Sequence, residues 1–518
     1  MWNQQGVTMS LSLRDKVYLN VQGNSQPFNK DFIYLRDKDD PEFYLSSMCR
    51  VLEILDGIKF LGCEIITDEK EIWQRHIKPA SLEIGESRYS LAIMKFHVEH
   101  GDTNSVGGKS SADIEMKLLI PKLVDDFFFR IRGVTYGALY QIADKGFYVT
   151  ARNCVIKTLS MPIMASYNNT TTVAATTINK SGVRVDGNMR QTFINIRIFK
   201  KEINPFLFIF SKYGLDKGLE IAEINDIVSL VNVKDFVEEE YLSPNALIIK
   251  LLGDYVIIVD KVKLMSERNK ARTVFSFIHL MKSLRKTLFS VYKIETWRML
   301  LGKHFTTNEK ALEKAASTVK SFERTMDDIT KASLSFVPLE YKENSFTLLV
   351  WLMNNLDTLK KNDNHSLFNK RLRFYEYIFY SLQAKFNTAT NRNLSNGRSN
   401  TFNSKKRIFN VQLNHIIKQL LTTNLHRYDN CVSGLDLFSS GLKWSSRGPQ
   451  AMQDDDVPLE FRDIHPSQLG IIDIYNKSQS DPGMQGIFTP FIRNSLTGMV
   501  FSNELQLQED DVDNDILG

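Results

Sequence analysis

Cysteine is scarce, with four in 518 residues (Cys49, Cys63, Cys154 and Cys431) and no Cys-x-x-Cys pair. That spacing argues against a structural zinc site and a disulfide framework, and fits a reducing cytosol. No apolar run approaches the roughly 18 residues a membrane-crossing helix needs. The N-terminal MWNQQGVTMSLSLRD lacks a basic stretch followed by an apolar one, so no secretory leader is expected. There is no Gly-x-Ser-x-Gly elbow, no paired Cys and His, and no kinase signature set. Local chemistry therefore describes a binder rather than a self-contained catalyst.

What is present is charge, unevenly spread. The formal net charge is only +5, yet residues 261–310 hold twelve Lys/Arg against three Asp/Glu, and residues 358–407 hold eleven against two. The stretch 501–518 has six acids and no base. One basic segment is often just a solvated helix face. Two in a nearly balanced chain point to surfaces that meet a polyanion, and nucleic acid is the expected one. The length predicts more than one domain, and 43% hydrophobic residues fit a globular protein.

The patterning predicts an α+β, multidomain chain. DPEFYLSSMCRVLEILDGIKFLG carries apolar residues at helical spacing, with Gly62 as its stop. SRYSLAIMKFHVEH alternates like a strand, and residues 126–159 read as strands with turns at Gly133 and Lys145-Gly146. SYNNTTTVAATTINKSG reads as a polar insert in a β-leaning region. TVFSFIHLMKSLRKTLFSVYKI, residues 369–387 and residues 408–424 read as amphipathic helices. From 431 onward Gly, Ser, Pro and Asp break the apolar pattern, so that segment is expected to be ordered only by packing on something else.

Three short motifs invite a sharper reading and do not sustain it. GDTNSVGGKSS ends in Gly-Lys-Ser, but six residues separate Gly101 from Gly108 where a phosphate loop needs four. His97 and His100 are three apart in a predicted strand, so they face opposite ways rather than sharing a metal. Asp454, Asp455 and Asp456 are adjacent carboxylates with no second acidic cluster at useful spacing, a weak basis for a metal nuclease.

The longer pattern is more specific. FRDIHPSQLGIIDIYNKSQSDPGMQGIFTPF resembles the β subunit of multisubunit RNA polymerases where that family reads Arg-Asp-Val-His-Pro-x-x-x-Gly and then Thr-Pro-Glu-Gly. Arg462, Asp463, His465, Pro466 and Gly470 match, and Ser480-Asp481-Pro482-Gly483 stands in place of Thr-Pro-Glu-Gly. Ile471 and Asp473 depart from the family's Arg and Cys. Upstream, Asn369, Arg371, Leu372 and Arg373 match the family's Asn-Arg-Arg-Ile-Arg stretch, and Ile120, Pro121, Gly133 and Gln141 match a third segment, all in family order.

The resemblance implies an architecture: a protrusion over 1–150, a lobe over 151–368, return helices of the protrusion over 369–430, and over 431–518 a fork segment facing the active centre. It implies the N-terminal part of a β subunit split between polypeptides, as in the polymerases of giant (jumbo) bacteriophages. Catalysis would then sit elsewhere, on Mg2+ held by a β′-like partner, with none bound by this chain. Partners would be a C-terminal β-like polypeptide, β′-like polypeptides, a promoter-specificity subunit where one is used, the DNA template and the RNA product, without a membrane. The place of action would be the host cytoplasm during infection, or the virion. Expected nucleic-acid contacts are Lys443, Arg447, Arg462, Arg371, Arg373, Lys282, Arg285 and Lys286. Asp463, His465, Pro466, Gly470, Pro482 and Gly483 are expected as turn residues, and Trp444 is expected to pack rather than stack. The alternative from another class is a nucleic-acid-binding structural or packaging protein without polymerase partners.

Overall fold

The computed structural model describes residues within 41–501, outside 74–87, 101–109, 285–289, 397–407, 429–438, 447–463, 476–484 and shorter stretches of up to four residues. Helices and sheets are mixed along the chain, in keeping with the α+β expectation.

Buried side chains gather into two main cores. The first draws on residues 44–140 and 367–488, joined by Leu159 and Ile329; the second is built from residues between 147 and 359. In the first, the helix Pro41–Arg50 and a 3-10 turn Val51–Ile54 pack on an antiparallel sheet of β1 (Ile58–Ile66), β2 (Tyr89–His100) and β3 (Ser110–Pro121). The helical stretch ends before the expected Gly62. Gly57, at φ +77°, makes the turn, and Gly62 instead sits in β1 where the register with β2 slips. A second sheet combines β4 (Leu123–Val124), β5 (Phe128–Ile131) and β6 (Val134–Ala138), with the turn at Gly133 where the sequence places it. The next strand is β7 (Tyr140–Asp144).

The second core begins at β8 (Phe147–Val149) and β9 (Asn153–Lys157). These join a sheet of β10 (Pro162–Ile178), β11 (Arg184–Ile198), β12 (Lys201–Ile203), β13 (Val228–Asn232), β14 (Ala246–Lys250) and β15 (Tyr255–Asp260), in the order β12-β11-β10-β14-β15-β13. The Thr/Asn-rich stretch is therefore strand, not insert. Thr171, Val173 and Ala175 are buried while Thr172 and Ala174 between them are exposed, a period of two that threonine's polarity disguises. Helices Pro205–Tyr213, Ala271–Ser283, Ile294–Phe305, Ala311–Glu323 and Ser345–Leu359 supply the rest of this core. Its centre is aromatic, with Phe210 and Trp297 rings 4.8 Å apart and Phe322 and Phe346 4.9 Å apart. Each such side chain contributes about 1.5–3 kcal/mol on leaving water.

The chain then returns to the first core. The expected helix from 369 starts later. Residues 367–369 form a 3-10 turn, β16 (Lys370–Arg373) is a strand buried on both faces, and helices Tyr375–Ile378 and Tyr380–Asn396 follow. Pairing with β7 overrides the helical pattern of this stretch. The helix expected over 408–424 spans His415–Thr422. The strand β17 (His426–Tyr428) joins β6, while β18 (Lys443–Ser445) and β19 (Gln485–Ile487) extend β16 and β7 into a sheet of order β16-β7-β18-β19. The described parts of 431–501 thus find their support on this chain itself, where Leu442, Trp444, Ile471, Ile472 and Phe488 are buried. A hairpin of β20 (Ile492–Ser495) and β21 (Gly498–Phe501) closes the described chain.

Candidate nucleic-acid interface

The expected cations divide sharply by position. Arg371 and Arg373 do not line a surface: they are 7% and 5% exposed. Glu376 lies between them, accepting from Arg371 at 3.0 Å, in ion-pair contact with it at 2.7 Å and standing 3.6 Å from Arg373. Burial works to raise the Glu376 pKa, but the two guanidiniums outweigh it and hold the carboxyl below its usual range. Register fixes the rest. In the β16–β7 pair Arg373 faces Gln141, to which it donates, and Lys370 faces Asp144, with which it pairs. These two arginines are internal charges, committed to a buried network that a nucleic acid does not reach. Two segments of the polymerase resemblance, at Gln141 and at Arg371–Arg373, meet here.

The same network joins the cores. Lys157, on β9 of the second core, reaches Asp144 at 3.2 Å. Burial tends to raise the Asp144 pKa, but Lys370 and Lys157 prevail and lower it. Leu159 is buried in the first core; its N–H donates to Asp327 at 2.9 Å, and its carbonyl accepts from Gln383 and Asn387 at 2.9 and 2.7 Å. Burial foremost raises the Asp327 pKa. At the edge of this seam a cleft of about 490 Å³ is lined by Arg50, Glu53, Lys59, Arg324, Asp327 and Asp328, and an Arg50–Asp328 pair at 2.8 Å spans it.

Lys282 is different. It is exposed in the last turn of Ala271–Ser283 and donates to the Thr172 carbonyl of β10. Beside it Arg190, across the β10–β11 pair from Thr172, donates to the Thr170 hydroxyl at 3.4 Å. Further along β10, Lys360 lies 4.0 Å from the Tyr167 ring centroid and Arg272 donates to the Tyr167 carbonyl at 3.5 Å. Asp357 pairs with both, at 3.2 and 3.1 Å. Four cations with one carboxylate thus lie along β10, Arg190 beside the exposed Thr170 hydroxyl, Lys282 at the Thr172 carbonyl, and Arg272 and Lys360 at the buried Tyr167. Exposed cations beside a hydroxyl-bearing strand, as Arg190 and Lys282 are, have the chemistry to grip phosphates without reading sequence. Arg272 and Lys360 fall in the two basic segments without having been named individually, and Arg190, on β11, lies outside both.

Lys443 lies elsewhere, half-buried on β18 of the first core. Next to it Trp444 is 4% exposed and packs on Phe488, rings 5.9 Å apart, and against Gly486. Arg447, Arg462, Asp463, Pro482, Gly483, Arg285, Lys286 and Asp454–Asp456 lie outside the described residues. So do Asp511, Asp513 and Asp515, which stand at Asp-x-Asp-x-Asp spacing in the acidic tail. His465 caps the 3-10 turn Pro466–Gln468, its Nδ1 accepting from the Ser467 N–H at 3.2 Å and lying 2.7 Å from the Ser467 hydroxyl. That hydroxyl oxygen accepts from the Leu367 N–H at 2.8 Å, which ties the His-Pro turn to the start of β16. Gly470 follows at φ +79°. Across β2 and β3, His97 pairs with Asp113 at 2.6 Å. Among the described residues no group of three or more His, Cys, Asp or Glu is placed to hold a metal.

Two cores joined by a buried charge network, with exposed cations beside β10, have the make-up of a scaffold subunit. The sequence matches, over residues 10–504, the model of a family described as non-virion RNA polymerase subunit. The chain belongs to that family of viral RNA polymerase subunits. No curated protein matches it. As a subunit it works with other polypeptides, and the family's description is of a polymerase of the infected cell rather than of the particle. No helix among the described residues is long and apolar enough to cross a membrane.

Proposed function

We propose that this chain is the N-terminal part of a split β-like subunit of a multisubunit DNA-dependent RNA polymerase, and that it walls the DNA channel and steadies the RNA–DNA hybrid. The observation that carries the reading is the interrupted first core. Residues 44–140 and 367–488 share one core, with the unit between 147 and 359 inserted between them. A protrusion that the chain leaves, to build a lobe, and then re-enters has this connectivity. The meeting of Gln141 with Arg373, and of the His-Pro turn with Leu367, supports it from the motifs.

Phosphate contacts are assigned to Arg190, Arg272, Lys282 and Lys360, with Lys443, Arg447, Arg462, Arg285 and Lys286 as further candidates. Nucleotidyl transfer uses two metal ions clamping the attacking and leaving oxygens. In this proposal Mg2+ is held by the β′-like partner. This chain's part is to hold template and product in place through charge. The test is an elongation complex reconstituted with all subunits, carrying Arg190→Glu and Lys282→Glu. Its salt sensitivity of DNA retention should change, with the slope of log affinity against log salt falling by about 0.9 for each phosphate no longer neutralised. An unchanged slope in an intact complex would show these charges to be ordinary solvated surface.

A further inference from the structure

A second face differs in chemistry from the cationic one. Phe368, Ile464, Leu469 and Tyr475 are 55%, 53%, 58% and 99% exposed. Their elements are held together: the Leu367 N–H bond to Ser467 joins the turn bearing Phe368 to the one flanked by Ile464 and Leu469. The β20–β21 hairpin packs against β16, and β21 also against the Leu367–Asn369 turn. Those two strands pair with each other and, among the described residues, with no third strand. A lone two-stranded sheet is marginal in water and leaves a strand edge open on either side.

The apolar side chains are presented by ordered backbone. The Tyr475 N–H donates to Asp473 at 3.0 Å, the Asp473 N–H to the Ile487 carbonyl at 2.9 Å, and the Thr489 hydroxyl to the Gly470 carbonyl at 2.6 Å. Rings and branched chains held outward on a braced turn lose little freedom when a partner covers them, which is how an interface anchor is made. Residues 464–475 contain no Lys or Arg, and Asp473 is their one acidic residue, so this stretch offers no cation to a phosphate and suits an apolar partner better. The chain's own tail beyond 501, with six acids and no base, is a poor complement to this face.

From these observations, and resting on the membership in a family of polymerase subunits, we propose that this face docks another subunit of the polymerase. That subunit lays an extended segment along the open edge of the β20–β21 hairpin and sets apolar side chains against Phe368, Leu469 and Tyr475. Strand addition of this kind gives main-chain hydrogen bonds for affinity and alternate side chains for specificity.

The experiment uses the enzyme reconstituted with all its subunits, with Tyr475 replaced by a photoreactive phenylalanine. Transcription is measured first, which establishes the polymerase reading separately. Irradiation should then join this chain to another polymerase subunit. Leu469→Asp and Phe368→Asp should each weaken co-assembly by at least about tenfold while the free chain melts as before. In a transcribing complex, cross-links only to the chain's own tail, to a second copy or to nucleic acid would overturn the docking surface. So would assembly indifferent to both substitutions.

Discussion

Replacing Glu376 with Gln removes one negative charge and almost no volume. In the native chain that carboxylate is the shared partner of Arg371 and Arg373, all three at most 8% exposed at the side chain. Two buried guanidiniums would then face a neutral amide. Uncompensated buried charge costs about 3–5 kcal/mol, against about 0–1 kcal/mol for an exposed pair. For a core of about 200 residues the expected fall in melting temperature is about 6–20 °C. Replacing the triad together, as Arg371→Met, Arg373→Met and Glu376→Leu, should cost less than the single change, because no charge is stranded. The pH dependence has a definite sign. A carboxyl whose folded pKa lies below its unfolded value near about 4.3 contributes fully above that value, and loses its contribution as pH falls through the folded pKa. The gap between native chain and Glu376→Gln should therefore be widest near neutrality and narrow in acid. Thermal unfolding of the purified chain across pH reads this directly. A loss under about 1 kcal/mol at pH 7 would refute the reasoning, because it would mean that water reaches the arginines, and a role for them in gripping nucleic acid would return.

Asp144→Asn should loosen the seam, since Asp144 holds both Lys370 and Lys157. Calorimetry should show the two cores melting further apart, with the difference from the native chain fading below the usual Asp range of about 3.9. Gly486→Ala places a methyl 2.7 Å from the Trp444 ring, so overpacking should destabilise by about 1–3 kcal/mol in denaturant unfolding. Gly302→Ala is expected to be worse than Gly486→Ala in the same assay, because its Cβ would meet the Ala311 backbone, which cannot turn aside as a side chain can. Mg2+-dependent synthesis by the reconstituted enzyme should survive Asp454→Asn, and also the combined Asp511→Asn, Asp513→Asn and Asp515→Asn. Loss of synthesis with assembly intact would move the active centre into this chain.

Local pattern carried part of the fold. The alternation of β2, the turn at Gly133 and the amphipathic helix from Ala271 follow from residue periods that tertiary context does not contradict. β16 fails that test: Lys-Arg-Leu-Arg reads as a polar helix start, and only its pairing with β7 and the carboxylates Asp144 and Glu376 makes a buried strand of it. The same blind spot placed Arg371 and Arg373 on the surface, because a count of basic residues does not register burial. The cations along β10 come from three separate stretches, Arg190 on β11, Arg272 and Lys282 on the helix Ala271–Ser283, and Lys360 after the helix Ser345–Leu359, so no single window contains them. His465 was readable as a turn residue from its proline neighbour; its tie to Leu367 is a long-range bond no spacing encodes.

The central claim, a β-like half-subunit inside a multisubunit polymerase, is tested most directly by purifying the tagged chain from infected cells under native conditions. The bound polypeptides are identified and counted by mass spectrometry, and the same sample is assayed for DNA-templated RNA synthesis. The account predicts a transcribing complex holding this chain together with a C-terminal β-like polypeptide and β′-like polypeptides in equal numbers. Recovery of the chain with particle structural proteins or bound nucleic acid alone, without polymerase chains and without RNA synthesis, would contradict it.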